Sequence, residues 1–163
     1  MLDINFYRKF DDVLDDIKKG KIQTREDCGK ALKSIMSDHP VVYNIETTNR
    51  CNMRCKMCPR TTMMTRKIED IDRETFLNVV DQIQPHSKED WALWKTYCEK
   101  KYGISEDDVA SENHFFLYII SKVIQLHGYG DPLLDKHMEE YVRILHEKGF
   151  ESYFSCNPAN IDF

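Results

Sequence analysis

No stretch of this 163-residue chain approaches the roughly 20 consecutive apolar residues that a membrane-spanning helix needs. The longest apolar run, Phe115 to Ile120, has only the length of a strand. The opening segment MLDINFYRKFDDVLDDIKK is acidic and has no apolar core, so it reads as neither a secretory signal nor a transit peptide. An excess of positive charge is also missing: 23 Lys and Arg against 28 Asp and Glu leave a formal charge of −5, which offers no electrostatic footprint for nucleic acid. Low-complexity segments are lacking, and so are internal repeats beyond an alternation of strands and helices. What is there is 41% hydrophobic and 31% charged, the balance of a soluble globular chain long enough for one domain with a genuine core.

Cysteine is plentiful. Six are present, Cys28, Cys51, Cys55, Cys58, Cys98 and Cys156, an even number that invites a disulfide framework. The size of the chain, the missing export signal and the crowding of three thiols into eight residues argue instead for a reducing compartment, and a cytoplasmic protein is expected.

Apolar spacing predicts two helices over residues 4–37. Ile4, Tyr7, Phe10, Val13, Leu14 and Ile17 form one face before Gly20, and Thr24 caps a second helix that Pro40 ends. Residues 41–47, VVYNIET, read as a strand. Asp72 caps a helix running to about Gln84, with Phe76, Val79, Val80 and Ile83 inward. Residues 85–121 read as a helical insertion, with one helix ending at Gly103 and a capping-box pattern, Ser105 and Asp108, opening another. KVIQLH (122–127) is a second strand, Asp135 to Lys148 a helix closed by Gly149, and ESYFSC (151–156) a third strand. Alternation of strand and helix implies parallel pairing through right-handed crossovers. The expected fold is α/β: about three parallel strands with crossover helices, a partial (βα) barrel, preceded by an N-terminal helical hairpin. Residues 1–38 form the helical extension and 39–163 a truncated core with the insertion at 85–121, and the chain is expected to be part of a longer core.

CNMRCKMC, residues 51–58, places its thiols at i, i+4 and i+7 directly after the first predicted strand. A buried helix face is the plain structural reading of that spacing, but Arg50, Asn52, Arg54 and Lys56 crowd the segment and Pro59 breaks it. Closely spaced thiolates on one loop suit an iron–sulfur centre, and three of them leave one iron of a [4Fe–4S] cluster open. Loops at the carboxyl ends of parallel strands are where α/β folds carry chemistry. Thiolates and the neighbouring thioethers would equally suit zinc or Cu(I), so a non-catalytic metal-binding module stays open.

ETTNRCNMRCKMCPR resembles the CxxxCxxC signature of the radical S-adenosylmethionine (radical SAM) superfamily. Cys51, Cys55 and Cys58 match its three metal ligands, Asn52 a residue that often follows the first, and Met57 the position near the adenine. GYGDPLL, after the second predicted strand, resembles the family's GGEP segment, with Tyr129 and Asp131 in place of glycine and glutamate. Gly130 and Asp131 would then meet the methionine end of S-adenosylmethionine. SCNPANI resembles the family's serine- and asparagine-bearing loop, with Ser155 and Asn157 at the matching positions. The pattern is most similar to the SPASM or twitch branch, whose cysteine-rich tail is not in these residues.

The resemblance implies a [4Fe–4S] cluster that binds S-adenosylmethionine and cleaves it reductively to a 5′-deoxyadenosyl radical, which abstracts hydrogen from a substrate. It implies a one-electron donor such as a flavodoxin or ferredoxin, and modification of a peptide or protein, or enzyme maturation, as the setting. No nucleic acid and no membrane enter. No catalytic side chain follows from it, and weak or absent turnover is expected of these residues alone, an inactive fragment being the companion reading.

The remaining chemistry-bearing residues have structural readings. His127 is expected to be satisfied locally, His137 and His146 to be solvated, Cys156 to be a buried thiol, and Cys28 and Cys98 to pack between helices. Trp91, Trp94, Tyr97 and Tyr102 form a helical stripe suited to packing. Glu46 reads as a hydrogen-bonded carboxylate at a sheet end. Arg50, Arg54, Lys56, Arg60, Arg66 and Lys67 make the one basic stretch, a solvated loop that could offset a cluster's charge or receive an acidic electron donor.

Overall fold

The computed structural model describes residues 1–157. In chain order it contains helices α1 (Ile4–Lys18), α2 (Arg25–Ile35), α3 (Pro59–Thr62), α4 (Arg73–Gln82), α5 (Lys88–Tyr102) and α6 (Glu112–His114). A π-helical segment (Phe115–Ile120), strand β1 (Val123–Gln125), a 3-10 turn (Pro132–Leu134), helix α7 (Met138–Glu147) and strand β2 (Glu151–Tyr153) follow. The elements fall into two units.

One unit holds Met1, Val42–Pro85 and the described chain from Lys122 on. Its sheet is β1 and β2, parallel, with Val123 opposite Glu151, Ile124 opposite Ser152 and Gln125 opposite Tyr153. The protein is thus mixed helix and sheet with two parallel strands joined through α7. The segment 41–47, expected as a strand, contributes a single parallel bridge, Asn44 with Gln125. Two hydrogen bonds make that bridge: Ile45 N–H donates to Gln125 O at 2.8 Å and Gln125 N–H to Tyr43 O at 3.0 Å. The ladder goes no further because Thr47 and Thr48 turn to another partner. Ile71 N–H donates to Thr47 O at 2.7 Å, and Thr48 forms an antiparallel bridge with Asp70. The other two strands are shorter than their sequence patterns, three residues each.

β1 is buried along its whole length, as a short parallel strand covered on both faces requires. Phe76 and Val80 of α4 and Met138, Tyr141 and Leu145 of α7 are its unit's buried helical residues, and the Phe76 and Tyr141 rings stack at 3.9 Å between centroids. Each such burial contributes about 1.5–3 kcal/mol. Tyr141 keeps its hydroxyl satisfied by donating to Ile71 O at 3.2 Å, and burial pushes its phenol up to about 12.

The other unit joins Leu2–Val41 to His86–Ser121, so the N-terminal hairpin and the insertion belong to one body. Its core is Ile4, Trp94, Cys98 and Tyr118, flanked by Trp91, Tyr97, Ile104 and Leu117. Trp94 donates its indole N–H to Leu117 O at 2.7 Å and Tyr118 its hydroxyl to Ile104 O at 2.6 Å, so the polar edges of the buried rings are paired. Helix starts follow local chemistry: the Thr24 hydroxyl accepts from Asp27 N–H and the Ser87 hydroxyl from Asp90 N–H. Gly103 ends α5 at φ 68°, a left-handed conformation that suits glycine.

Two details of this unit depart from the sequence pattern. Ser105 and Asp108 cap no helix; Ser105 N–H donates to the Asp108 carboxylate at 2.6 Å and closes a turn. The residues after them offer no apolar face, Val109 being 76% exposed, and the next helix starts at the Ser111 cap. The strand-length apolar run Phe115–Ile120 is π-helical, buried at Tyr118 and Ile120 and exposed at Phe116.

Candidate functional site

The cysteine loop is closed at its base by a buried asparagine. Asn49, 4% exposed, donates its side-chain amide to Lys67 O at 2.7 Å and accepts from Glu69 N–H at 2.8 Å through Oδ1. Its backbone N–H reaches Glu69 O at 3.2 Å, and its carbonyl accepts from Arg60 Nε at 2.7 Å. Beside it, Asp70 Oδ1 accepts from the Thr48 hydroxyl at 2.6 Å and from Arg50 Nε at 2.9 Å. Residues 50–69 are therefore a loop whose two ends are stitched together, the form in which a chain can project ligands without a helix or strand beneath them.

On that loop Cys51 and Cys58 are half-buried and Cys55 is exposed, and none is in a disulfide. Cys51 Sγ accepts from Met53 N–H at 3.4 Å. Cys58 N–H donates to Cys55 O at 3.1 Å, a turn that leads into Pro59 at the start of α3. The donor chemistry fits a thiolate-held metal or cluster. Among the described residues, no group of three or more Cys, His, Asp or Glu side chains is drawn together as a metal-holding set. Met57 is 92% exposed.

The GYGD segment lies directly on the base of this loop. Asp131 N–H donates to Arg50 O at 2.7 Å. At Gly130 a Cβ would stand 2.1 Å from Thr48 O and 2.8 Å from Arg50 O, so only glycine allows the approach. Asp131 is 3% exposed, and its carboxylate accepts from Leu133 N–H at 3.1 Å and Asn157 N–H at 2.9 Å. Asn157 also reaches Asn52 Oδ1 with its side-chain amide at 3.5 Å. The structure thus brings Gly130, Asp131 and Asn157 together with the residues flanking Cys51. Ser155 is joined less directly: its N–H donates to His127 Nδ1 at 3.2 Å. Burial lowers the His127 pKa, and acceptance at Nδ1 leaves the ring proton on Nε2.

Glu46 and Arg66 tie these segments together, so Arg66, read from sequence only as part of a solvated basic stretch, has a fixed partner. Glu46 Oε1 accepts from Tyr129 N–H at 2.7 Å, and Oε2 pairs with Arg66 Nη1 at 2.7 Å. The Arg66 guanidinium lies 5.6 Å from the centroid of the Tyr129 ring. A cavity of about 400 Å³ is lined by Asn44, Glu46, His127, Gly128 and Tyr129. A larger one, about 580 Å³, is lined by Cys51, Asn52, Arg54, Arg60, Thr61, Met64, Arg66 and Ile68.

No family model, curated protein or solved structure matches the chain. The functional reading rests on these residues and on the motifs they carry.

The other residues weighed from sequence have structural places. Cys98 is wholly buried in the helical unit, with burial raising its thiol to about 12, while Cys28 and Cys156 are half-buried. Trp91, Trp94 and Tyr97 pack in or against that unit's core, and Tyr102 stays 47% exposed. His137 is half-buried rather than fully solvated, its ring 5.9 Å from that of Tyr141; His146 is exposed. One buried pair had no signal in the sequence. Asp135 Oδ1 accepts from His137 N–H at 2.9 Å, while its Oδ2 and Thr47 Oγ1 are both buried. Burial raises the Asp135 pKa.

Proposed function

We propose that this chain carries the cluster-binding part of a radical SAM enzyme, on a partial (βα) barrel of that type in which segment 41–47 is the first of three parallel strands. The observation that supports it best is the hydrogen bond from Asp131 N–H to Arg50 O, with Gly130 packed on Thr48 O. Two motifs that sit about 75 residues apart, each similar to a different element of one family, meet at backbone contact. A stand-alone thiolate site for zinc or Cu(I) gives no reason for that meeting.

Cys51, Cys55 and Cys58 would hold a [4Fe–4S] cluster, and S-adenosylmethionine would take its open iron. Bound together, the two would supply a 5′-deoxyadenosyl radical for hydrogen abstraction, chemistry that belongs to the cofactors while the protein orients them. The chain's own contribution is placement. Asn49 holds both ends of the ligand loop, and Gly130 lets the second loop lie against its base. Asp131, committed to two backbone N–H groups, fixes the shape of that second loop and ties it to Asn157. Asn157 lies within reach of Asn52, and Ser155 is held at His127.

Anaerobic reconstitution tests this reading. Iron and sulfide should each approach about four per chain with broad visible absorbance, and Cys51→Ala, Cys55→Ala or Cys58→Ala should each abolish the chromophore. Production of 5′-deoxyadenosine from S-adenosylmethionine and dithionite would extend the result to catalysis. One zinc or copper per chain without that absorbance would replace the proposal with the metal-binding module.

A further inference from the structure

We propose that the cavity of about 580 Å³ inside the cysteine loop is an anion site, built to take a phosphate or carboxylate group of a small ligand. Among the described residues, three with guanidinium groups line it, Arg54, Arg60 and Arg66, together with Cys51, Asn52 and Thr61, and no carboxylate does. That concentration runs against the chain's formal charge of −5. A concave surface lined by one sign of charge focuses its field on whatever enters.

The three arginines differ in what holds them. Arg66 is neutralised by Glu46 at 2.7 Å. Arg60 is anchored through Nε to Asn49 O at 2.7 Å and has no carboxylate partner among the described residues. Arg54 makes no hydrogen bond or ion pair among them. Among the described residues the cavity therefore presents two guanidinium groups without a carboxylate partner, one pre-oriented and one able to swing onto a ligand. Guanidinium groups bind phosphate and carboxylate oxygens through paired N–H bonds, and a pre-oriented one loses less freedom in doing so. Met64 and Ile68 give the same cavity an apolar side, which suits an anionic group carried on a less polar body. Cys51 borders the same cavity, so the test is made on metal-free protein, where binding of the anion is read apart from that of the cluster.

The experiment uses the full chain, metal-free and reduced, at low ionic strength. It is titrated with inorganic phosphate and separately with succinate, followed by calorimetry and by backbone amide shifts. Saturable binding with shifts confined to residues 51–68 is expected. Arg54→Gln, which breaks no hydrogen bond or ion pair among the described residues, should weaken it about tenfold, as expected for one charge-assisted contact. Lys136→Gln, at an exposed lysine outside the cavity, should leave it unchanged. Tighter phosphate binding assigns a phosphate-bearing ligand, and tighter succinate binding a carboxylate-bearing one. Absence of saturable binding to either, or equal loss in the Arg54 and Lys136 variants, overturns the proposal.

Discussion

The backbone N–H of Asp131 donates to the carbonyl oxygen of Arg50, 81 positions earlier, at 2.7 Å. This bond sets the residue before the first clustered cysteine against the loop that follows β1. It forms only because Gly130 has no side chain, and it leaves the Asp131 carboxylate turned to Leu133 and Asn157. The candidate site is thus assembled from backbone contacts, and its sensitivity to substitution should follow them.

Gly130→Ala and Gly128→Ala should differ. At Gly130 the added carbon meets main-chain atoms, 2.1 Å from Thr48 O, which cannot yield without moving the cysteine loop. At Gly128 it meets the Glu46 side chain at 2.6 Å, which can rotate away. Urea unfolding is expected to show a loss of about 3 kcal/mol for Gly130→Ala and about 1 kcal/mol for Gly128→Ala. Equal losses would mean that the two loops are not in contact as described.

Asn49→Ala removes the side chain that joins Lys67 O to Glu69 N–H. A loss of about 1–3 kcal/mol is expected, because partners are stranded rather than replaced. Hydrogen exchange should show Glu69 and its neighbours opening while α7 keeps its protection. Unchanged exchange at Glu69 would refute the closure of the loop by Asn49.

Asp135 gives a pH prediction. Its native pKa is raised above the unfolded value by burial, so the protonated form is favoured in the fold. Its stabilising contribution is complete below the unfolded pKa and is lost as pH rises through the native one. Asp135→Asn copies the protonated form and keeps an oxygen for His137 N–H. The variant should melt above the wild type at pH 7, and the advantage should vanish near pH 3, where the wild-type carboxyl is protonated in both states. A variant that melts lower at pH 7 would show that the charged form is the one the fold uses.

Thiol reactivity separates the cysteines. Cys98 is fully buried and its thiol is held at about 12, whereas Cys55 is exposed. In metal-free protein at pH 8, a maleimide should label Cys55 completely before Cys98 reacts, and Cys98 should label only in denaturant. Mass spectrometry after limited labelling reads this directly. Similar rates at both would mean that the core around Trp94 is not closed.

Most helices were legible because their signals are local. Thr24 and Asp72 each accept from a backbone N–H three residues on, and Gly103 and Gly149 both carry positive φ just past a helix. Ser105 and Asp108 show the limit of such signals: the same pair of residue types closed a turn, because no apolar face followed to be buried. The strands were legible in place but not in extent, and 41–47 became a single bridge because Thr47 and Thr48 found partners at Ile71 and Asp70. In the candidate site, the thiols announced themselves by spacing and the GYGD segment by its resemblance to a family motif. Asn49 and the partner of Arg66 did not, since what each meets lies far along the chain or is joined through backbone atoms that any residue carries.

The sequence by itself determined the helix starts and stops, the buried stripes and the three thiols on one loop, all properties of residues a few positions apart. Only the tertiary structure decided that the hairpin and the insertion share one core, and that Asn49 closes the cysteine loop. It also decided that the second loop lies against that closure through Gly130 and Asp131. The reason is physical: a backbone N–H or C=O will pair with any complementary group brought within reach, and which one arrives depends on how the whole chain packs.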